Sequence, residues 1–457
     1  MSAVTRLLAQ RPKQLRVLAG SGQLGYGIPE AAFRAGVERQ PHFIGCDMGS
    51  IDPGPAYLGS GEMATSPEVT RRDLALVLGA ARQLDVPLLI GTAGTAGAGP
   101  HLEATLTMIR DIAREQSLHF RMATIRADVA PERVVRALEQ GELKALGAPL
   151  SVTADDIRAC TQLVGQMGCA PFRQALEHDP DVIVAGRSCD TAVFAAIPQR
   201  LGFSMADVMH MAKIIECGSV CCVPGGRDSI LGTIDETGFE LESMNPDRRA
   251  TPLSIAAHSL YEQANPLSFT EPDGTLDVTA ARYHAIDDRR TRVAGAIWRP
   301  AARTTIKIEG SAPVGYRTVL LAGSADPGFI AHLPVALREV EINTRKVLPG
   351  DYRFLPRIYG VDGVMAWRTP PAAPPREVFV LVEVVSETAE QGLAAAKTFK
   401  QFLLHHGFSG RYCTSGNLAF PLTPPELPAG RAYRFPLYHV MPVDADEQLF
   451  PVAIEQI

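Results

Sequence analysis

The chain has 457 residues, 46% of them apolar, and a formal charge of −6. That length predicts two or three domains with ample material for a core, and the negative balance excludes a general nucleic-acid binder, whose phosphate contacts need a basic surface. The start, MSAVTRLLAQRPKQLRVLAG, has no apolar region of signal-peptide length, and no run approaches the roughly 20 residues that span a bilayer, so the expectation is a cytoplasmic protein with no membrane partner.

LRVLAG reads as a strand that runs into Gly20, Gly22, Gly25 and Gly27, and a helix follows from Pro29 to Gln40. PHFIGCD is a second strand ending at Asp47. After a Gly/Pro-rich loop, SPEVTRRDLALVLGAARQL is a helix with Ser66 as N-cap and Pro67 in its first turn. Strand DVPLLIG, helix 100–117, strand HFRMATIRADV, helices 131–140 and 153–165, strand DVIVAG and helix 204–216 follow. Strands separated by long helices predict βαβ units. The expected fold class is therefore α/β: a Rossmann-like, mostly parallel sheet with helices on both faces, followed by a mixed α+β C-terminal domain. The texture changes near 225, where Gly, Pro and charge crowd together, and the domains expected are 1–245 and 246–457. In the second half, short segments over 275–325 read as antiparallel strands. SADPGFIAHLPVALREVEINTRKVL is helical, and TAEQGLAAAKTFKQFLLHHG is a helix with Gly407 as its C-cap. The Pro-rich stretch 368–377 reads as a surface loop.

Ligands of open parallel sheets bind beyond the carboxyl ends of the strands, which singles out four loops. The first, GSGQLGYG, fits G-x-G-x-x-G with Gly20, Gly22 and Gly25, and Asp47 stands where a ribose hydroxyl would be held; Ser21 and Tyr26 are candidate substrate contacts. The competing reading is a tight strand-to-helix turn, and Pro29 starts the helix later than the fingerprint usually allows. The second loop holds Asp47 and Asp52 between glycines, stiffened by Pro53 and Pro55. Close-set acids on a stiff loop suit a general base or a metal-bound water, and equally suit Asx turns.

The third loop, IGTAGTAGAGPHLEATL, leads into a helix, so Thr92, Gly94, Thr95 and Gly97 form a candidate anion site. It has no GK[ST] and is not a Walker A loop. His101, in the first helical turn, is a proton carrier or a buried hydrogen-bonded histidine. In the fourth loop, GRSCDTA, Arg187 is placed to clamp a carboxylate, while Asp190 either caps the next helix or serves the site. Glu216 ends a helix against the macrodipole. Late in the chain, Thr414, Ser415 and Asn417 gather polar groups in a turn; Asn417 is a further candidate contact. The eight cysteines form no CxxC pair, and Cys217, Cys221 and Cys222 read as buried apolar thiols rather than a zinc site.

The ordered set GSGQLGYG, CDMGSIDPGPAYLGSG, GTAGTAGAGPH, VIVAGRSCDTA, ECG, SIAAHSLYEQANP and CTSGNLAFP resembles the acyclic terpene utilisation AtuA-like family, over nearly the whole chain. The resemblance implies a catabolic protein, found with genes for branched or carboxylated acid breakdown, with a small separate companion protein as partner. The first loop carries Leu24-Gly25-Tyr26-Gly27, where relatives named for the terpene pathway more often show an SGD type.

Three glycine loops and an arginine loop on one sheet edge offer more anion-binding capacity than a dinucleotide needs. The leading expectation is a lyase or hydratase acting on a small carboxylate or acyl-CoA substrate. Asp47, Asp52 and His101 would move protons, the 91–99 loop and Arg187 would hold the anionic group, and Asp190 and Glu216 would orient water or a divalent metal. An NAD(P)-dependent oxidoreductase built on Gly20, Gly22, Gly25 and Asp47 is one alternative. A non-catalytic ligand-binding subunit that works with the companion protein is the other. A homo-oligomer is expected in each case.

Overall fold

The computed structural model describes residues 2–147, 151–365, 375–412, 414–444 and 448–457. Cys413 and most of the Pro-rich stretch 368–377 lie outside the described residues. Two compact units are present: Met1–Ala312 together with Phe435–Ile457, and Pro313–Arg434.

The larger unit is built on one ten-stranded sheet. Its middle five strands, Leu15–Ala19, Phe43–Asp47, Leu88–Gly91, Val182–Ala185 and Arg121–Ile125, lie in that order and pair in parallel. These strands are apolar almost throughout because both faces are covered. Val17 and Ala19 enter one core while Leu18 enters the other, and Ile183 and Val184 divide in the same way. Helices Glu30–Glu38, Pro67–Leu84 and Gly99–Gln116 pack on the Leu18 side, and helices Asp190–Leu201 and Met205–Ile215 on the Val17 side.

The sheet as a whole is mixed, which corrects the expected Rossmann-like, mostly parallel fold. Beside Leu15–Ala19 runs the antiparallel strand Ile230–Asp235, with Ala19 opposite Ile230 and Leu15 opposite Ile234. Strands Gly238–Ser243, Arg290–Ala294 and Arg282–Ala285 continue outward from it, all antiparallel. At the far edge Val452–Gln456 pairs antiparallel with Arg121–Ile125. Thus four pairings are parallel and five antiparallel. The first strand consequently has a parallel neighbour on one side only, and the strand order does not reverse beside its loop, as a dinucleotide crevice requires. Periodicity reveals βαβ units but not which strand, two hundred residues on, returns to the open side of the first.

Two element assignments also change. The expected helix 153–165 is a short helix, Ala154–Arg158, followed by strand Gln162–Gln166. A short apolar run such as QLVGQ fits either period, and here it is taken up by pairing with strand Thr305–Ser324. The helix expected to close at Gly407 ends at Leu404, with His405 as its C-cap.

The smaller unit is a sheet covered by two helices. Val378–Ser386 pairs antiparallel with Tyr352–Tyr359 on one side and with residues 316–324 on the other. Helices Pro327–Val347 and Ala389–Leu404 cover it through Phe329, Leu333, Val340 and Phe399, which bury with Phe354 and Val380. Both helices begin at side-chain caps: Asp326 accepts from Phe329 N at 2.7 Å and Thr388 from Gln391 N at 3.2 Å. Among the described residues, no helix is long and apolar enough to cross a membrane.

Candidate active site

Because the five central strands are parallel, the loops leaving Ala19, Asp47, Gly91 and Ala185 emerge at one edge of the sheet. Their glycines serve loop-on-loop packing. A Cβ on Gly97 (φ +69°) would lie 2.2 Å from Arg187 N, whose N–H donates to the Gly97 carbonyl at 3.0 Å. A Cβ on Gly49 (φ +151°) would lie 2.5 Å from the Thr95 carbonyl oxygen. Thr92 Oγ1 donates to the Ser188 carbonyl at 3.2 Å, and Thr95 Oγ1 accepts from Ala64 N at 2.9 Å. The third loop is thus a brace for the second and fourth, with Gly94 (φ +66°) turned tightly against His101.

The anion cradles these loops could offer are filled by the protein's own carboxylates. N–H groups of Gly25, Gly27 and Ile28 donate to the buried Asp73 carboxylate at 3.0, 2.9 and 2.9 Å. That side chain takes the place a nucleotide phosphate would occupy after the fingerprint turn. Gly20 packs on Cys46 and Gly22 on the Cys217 carbonyl. Ser21 Oγ accepts from Gln23 N at 3.2 Å, and Tyr26 lies under the Arg227 guanidinium at 5.0 Å. At the N-terminus of helix Gly99–Gln116, Gly99 N donates to Asp128 at 2.8 Å. His101 is fully buried, its Nε2 3.1 Å from the Glu62 carbonyl, and burial lowers its pKa, which favours a neutral ring.

What remains open is a cavity of about 590 Å³, within the range of small-molecule sites. Asp52 and Ser50 stand at its wall from the second loop, Arg187 and Asp190 from the fourth, and Lys213 and Glu216 from the end of helix Met205–Ile215. Glu271, on the hairpin strand Ser268–Glu271, Lys307, on Thr305–Ser324, and the exposed Glu262 complete the charged lining. Asp47 lies buried nearby but does not line the cavity.

The charges are tightly organised. Arg187 grips Glu309 in a fork, Nε to Oε2 at 2.7 Å and Nη2 to Oε1 at 3.2 Å, with both side chains buried. Lys307 adds a contact to the same carboxylate at 3.2 Å and lies 5.2 Å from the Tyr438 ring centroid. Lys213 Nζ lies 2.6 Å from Glu216 and 3.6 Å from Glu262, with the Phe269 ring centroid at 5.4 Å. Thr191 Oγ1 donates to Glu271 at 2.5 Å. Asp190 keeps one buried oxygen, Oδ1, without a hydrogen bond. Asp47 has the same feature at Oδ1, while its Oδ2 accepts from Gly49 N at 2.9 Å.

Burial sets the protonation of this cluster. It pushes Asp190 above the usual carboxylate range despite the pull of Arg187 and Lys213. Asp47 is pushed well above it, by burial first and then by the Asp190 charge. Glu216 rises to about 8, burial outweighing Lys213. Burial also raises Glu271. For Glu309, Arg187 and Lys307 overcome burial and hold the carboxyl low. The cavity therefore sets carboxyls raised by burial beside the charged Arg187 and Lys213, an arrangement suited to proton transfer near an anionic group.

Of the residues singled out by sequence, Asp52, Arg187, Asp190 and Glu216 meet at the cavity. The side chains of Ser21, Thr92 and Thr95 are tied into backbone contacts of the loops. Asn417 belongs to the smaller unit, where Nδ2 donates to the carbonyls of Leu403 at 3.1 Å and His406 at 2.8 Å. Lys213 had a usable signal: a lysine one turn before an acid that opposes the helix dipole. Glu271, Lys307 and Glu309 had none, since each sits on a strand and gains its meaning from a partner far along the chain.

The architecture and site define a mixed α/β protein with a buried acid–base cavity. The sequence model of the acyclic terpene utilisation family protein AtuA matches residues 88–239 and 242–420, so the chain belongs to that family, and membership implies a catabolic role. No curated protein and no solved structure matches the chain.

Proposed function

We propose that this chain is a cytoplasmic catabolic enzyme, a lyase or hydratase that adds or removes water beside the carboxylate or thioester of a small substrate. The observation that carries the reading is Asp190, a half-buried carboxyl at the cavity wall with one buried oxygen free of hydrogen bonds. A carboxyl raised by burial and facing a cavity is suited to the role of a general acid.

Three cations, Arg187, Lys213 and Lys307, stand at the cavity wall and offer partners to an anionic substrate group. Lys307, its side chain 23% exposed, is the most accessible of the three cations. It is assigned to the substrate carboxylate or thioester carbonyl. Lys213 is assigned to the enolate that forms when the α-proton leaves. Glu216, raised to about 8, takes that α-proton in the ionised form it reaches increasingly as pH approaches this value, and Asp190 gives its proton to the departing hydroxyl. The product is an unsaturated acid and water, and addition runs the same steps backward. Arg187 fixes Glu309 and the floor of the site, and Asp52 stands at the rim. The cavity volume fits the acyl part of a thioester, with the carrier outside.

The test is turnover of the purified chain on hydroxy acids, branched enoic acids and their CoA thioesters, compared with Asp190→Asn. The isosteric amide keeps the shape and removes the acid. The expected loss in kcat is about 10²–10⁴-fold with an unchanged melting temperature. Equal turnover by Asp190→Asn overturns the assignment.

A further inference from the structure

The smaller unit carries a cluster the reaction does not use. His332 and Glu339 stand seven residues apart, two turns along one face of helix Pro327–Val347, and His406 follows helix Ala389–Leu404. The two imidazoles stack with centroids 5.3 Å apart and bring their Nε2 atoms to 3.2 Å. His406 Nε2 is 3.5 Å from Glu339 Oε2. All three ligand atoms lie within 4.8 Å of one another, the one such group of His, Cys, Asp and Glu among the described residues.

The geometry points to a site for a late first-row divalent ion, Zn²⁺ above all, held by His332, His406 and Glu339. Ligands at about 2.0–2.2 Å in a tetrahedral set are separated by about 3.3–3.6 Å; the two nitrogens, at 3.2 Å, fall just short of that spacing and the His406–Glu339 pair, at 3.5 Å, matches it. Two neutral imidazole nitrogens and a carboxylate are a borderline-soft donor set that selects zinc, copper or nickel over magnesium or calcium. Supports for the ligands are in place. Phe408 stacks on His332 at 5.5 Å, and Asn417 donates to the His406 carbonyl, fixing the turn that presents this ring. Glu339 is 55% exposed and closes the site from the solvent side, leaving a fourth position for water.

The probe is Zn²⁺ itself, titrated calorimetrically into the chelator-treated full-length chain, with Co²⁺ as the spectroscopic substitute. The expected result is one tight site in wild type that raises the melting temperature. Co²⁺ should give a tetrahedral visible band without thiolate charge transfer, which separates this site from the cysteines. His332→Gln should lose that site. Glu339→Gln, a substitution at an exposed position that leaves the core untouched, should weaken binding at least about tenfold. Equal zinc stoichiometry and affinity in wild type and both variants, or a thiolate spectrum with Co²⁺, overturns the proposal. Failure here leaves the acid–base cavity unaffected, since no residue is shared.

Discussion

Glu216 shows how one side chain links burial, charge and pH. An acid at a helix C-terminus opposes the macrodipole, and this one is tolerated because Lys213 lies 2.6 Å away. Burial still dominates and lifts the carboxyl to about 8 from an ordinary value of 4.5. The folded chain therefore binds a proton that the unfolded chain releases between those two values. Stability from this group is complete below the ordinary carboxyl pKa and is lost as pH rises through about 8. Thermal melting followed across that window should show wild type losing stability as pH rises and Glu216→Gln showing a shallower loss; parallel curves would assign the slope elsewhere. Glu216 was legible in the sequence because an acid at a helix C-terminus is unfavourable and asks for a partner, and Arg187 and Asp190 because they stand on a loop leaving a parallel strand. Their partner Glu309 was not, because an alternating strand gives no sign that one of its inward positions faces an arginine 122 residues away.

The glycine-rich turn after the first strand is the clearest case of an element whose pattern and use differ. Its composition is that of a phosphate loop, yet its N–H groups close on Asp73 from helix Pro67–Leu84. That contact joins a turn to a helix 48 residues on, and the pattern of either alone contains nothing of it. The carboxylate satisfies three donors that the turn would otherwise leave buried and unpaired. Asp73→Ala should cost at least about 1–3 kcal/mol in urea unfolding, the range for leaving a buried donor unsatisfied, whereas a loss under about 1 kcal/mol would show that the turn has other partners to hand. The five parallel strands and the helices that cover one face of them, Glu30–Glu38, Pro67–Leu84 and Gly99–Gln116, were legible from period and apolar runs. The antiparallel flank was not, since strand Ile230–Asp235 owes its place to the open edge of the first strand rather than to its own sequence.

The chain divides its chemistry between two units. The larger one brings two of the forward loops of its parallel strands to a cavity lined by acids and bases, and the smaller one brings two histidines and a glutamate together. Membership in the acyclic terpene utilisation family places both in a catabolic protein. The most direct measurement of the catalytic reading needs no knowledge of the final product. A panel of small carboxylic acids and acyl-CoA thioesters would be incubated with the full-length chain in D₂O, and exchange of the proton α to the carbonyl followed by NMR. Exchange by wild type on at least one member, lost in Glu216→Gln or Lys213→Met, is the result predicted for a cavity that stabilises an enolate. Binding of the same compounds without exchange, or exchange that both variants retain, would contradict it.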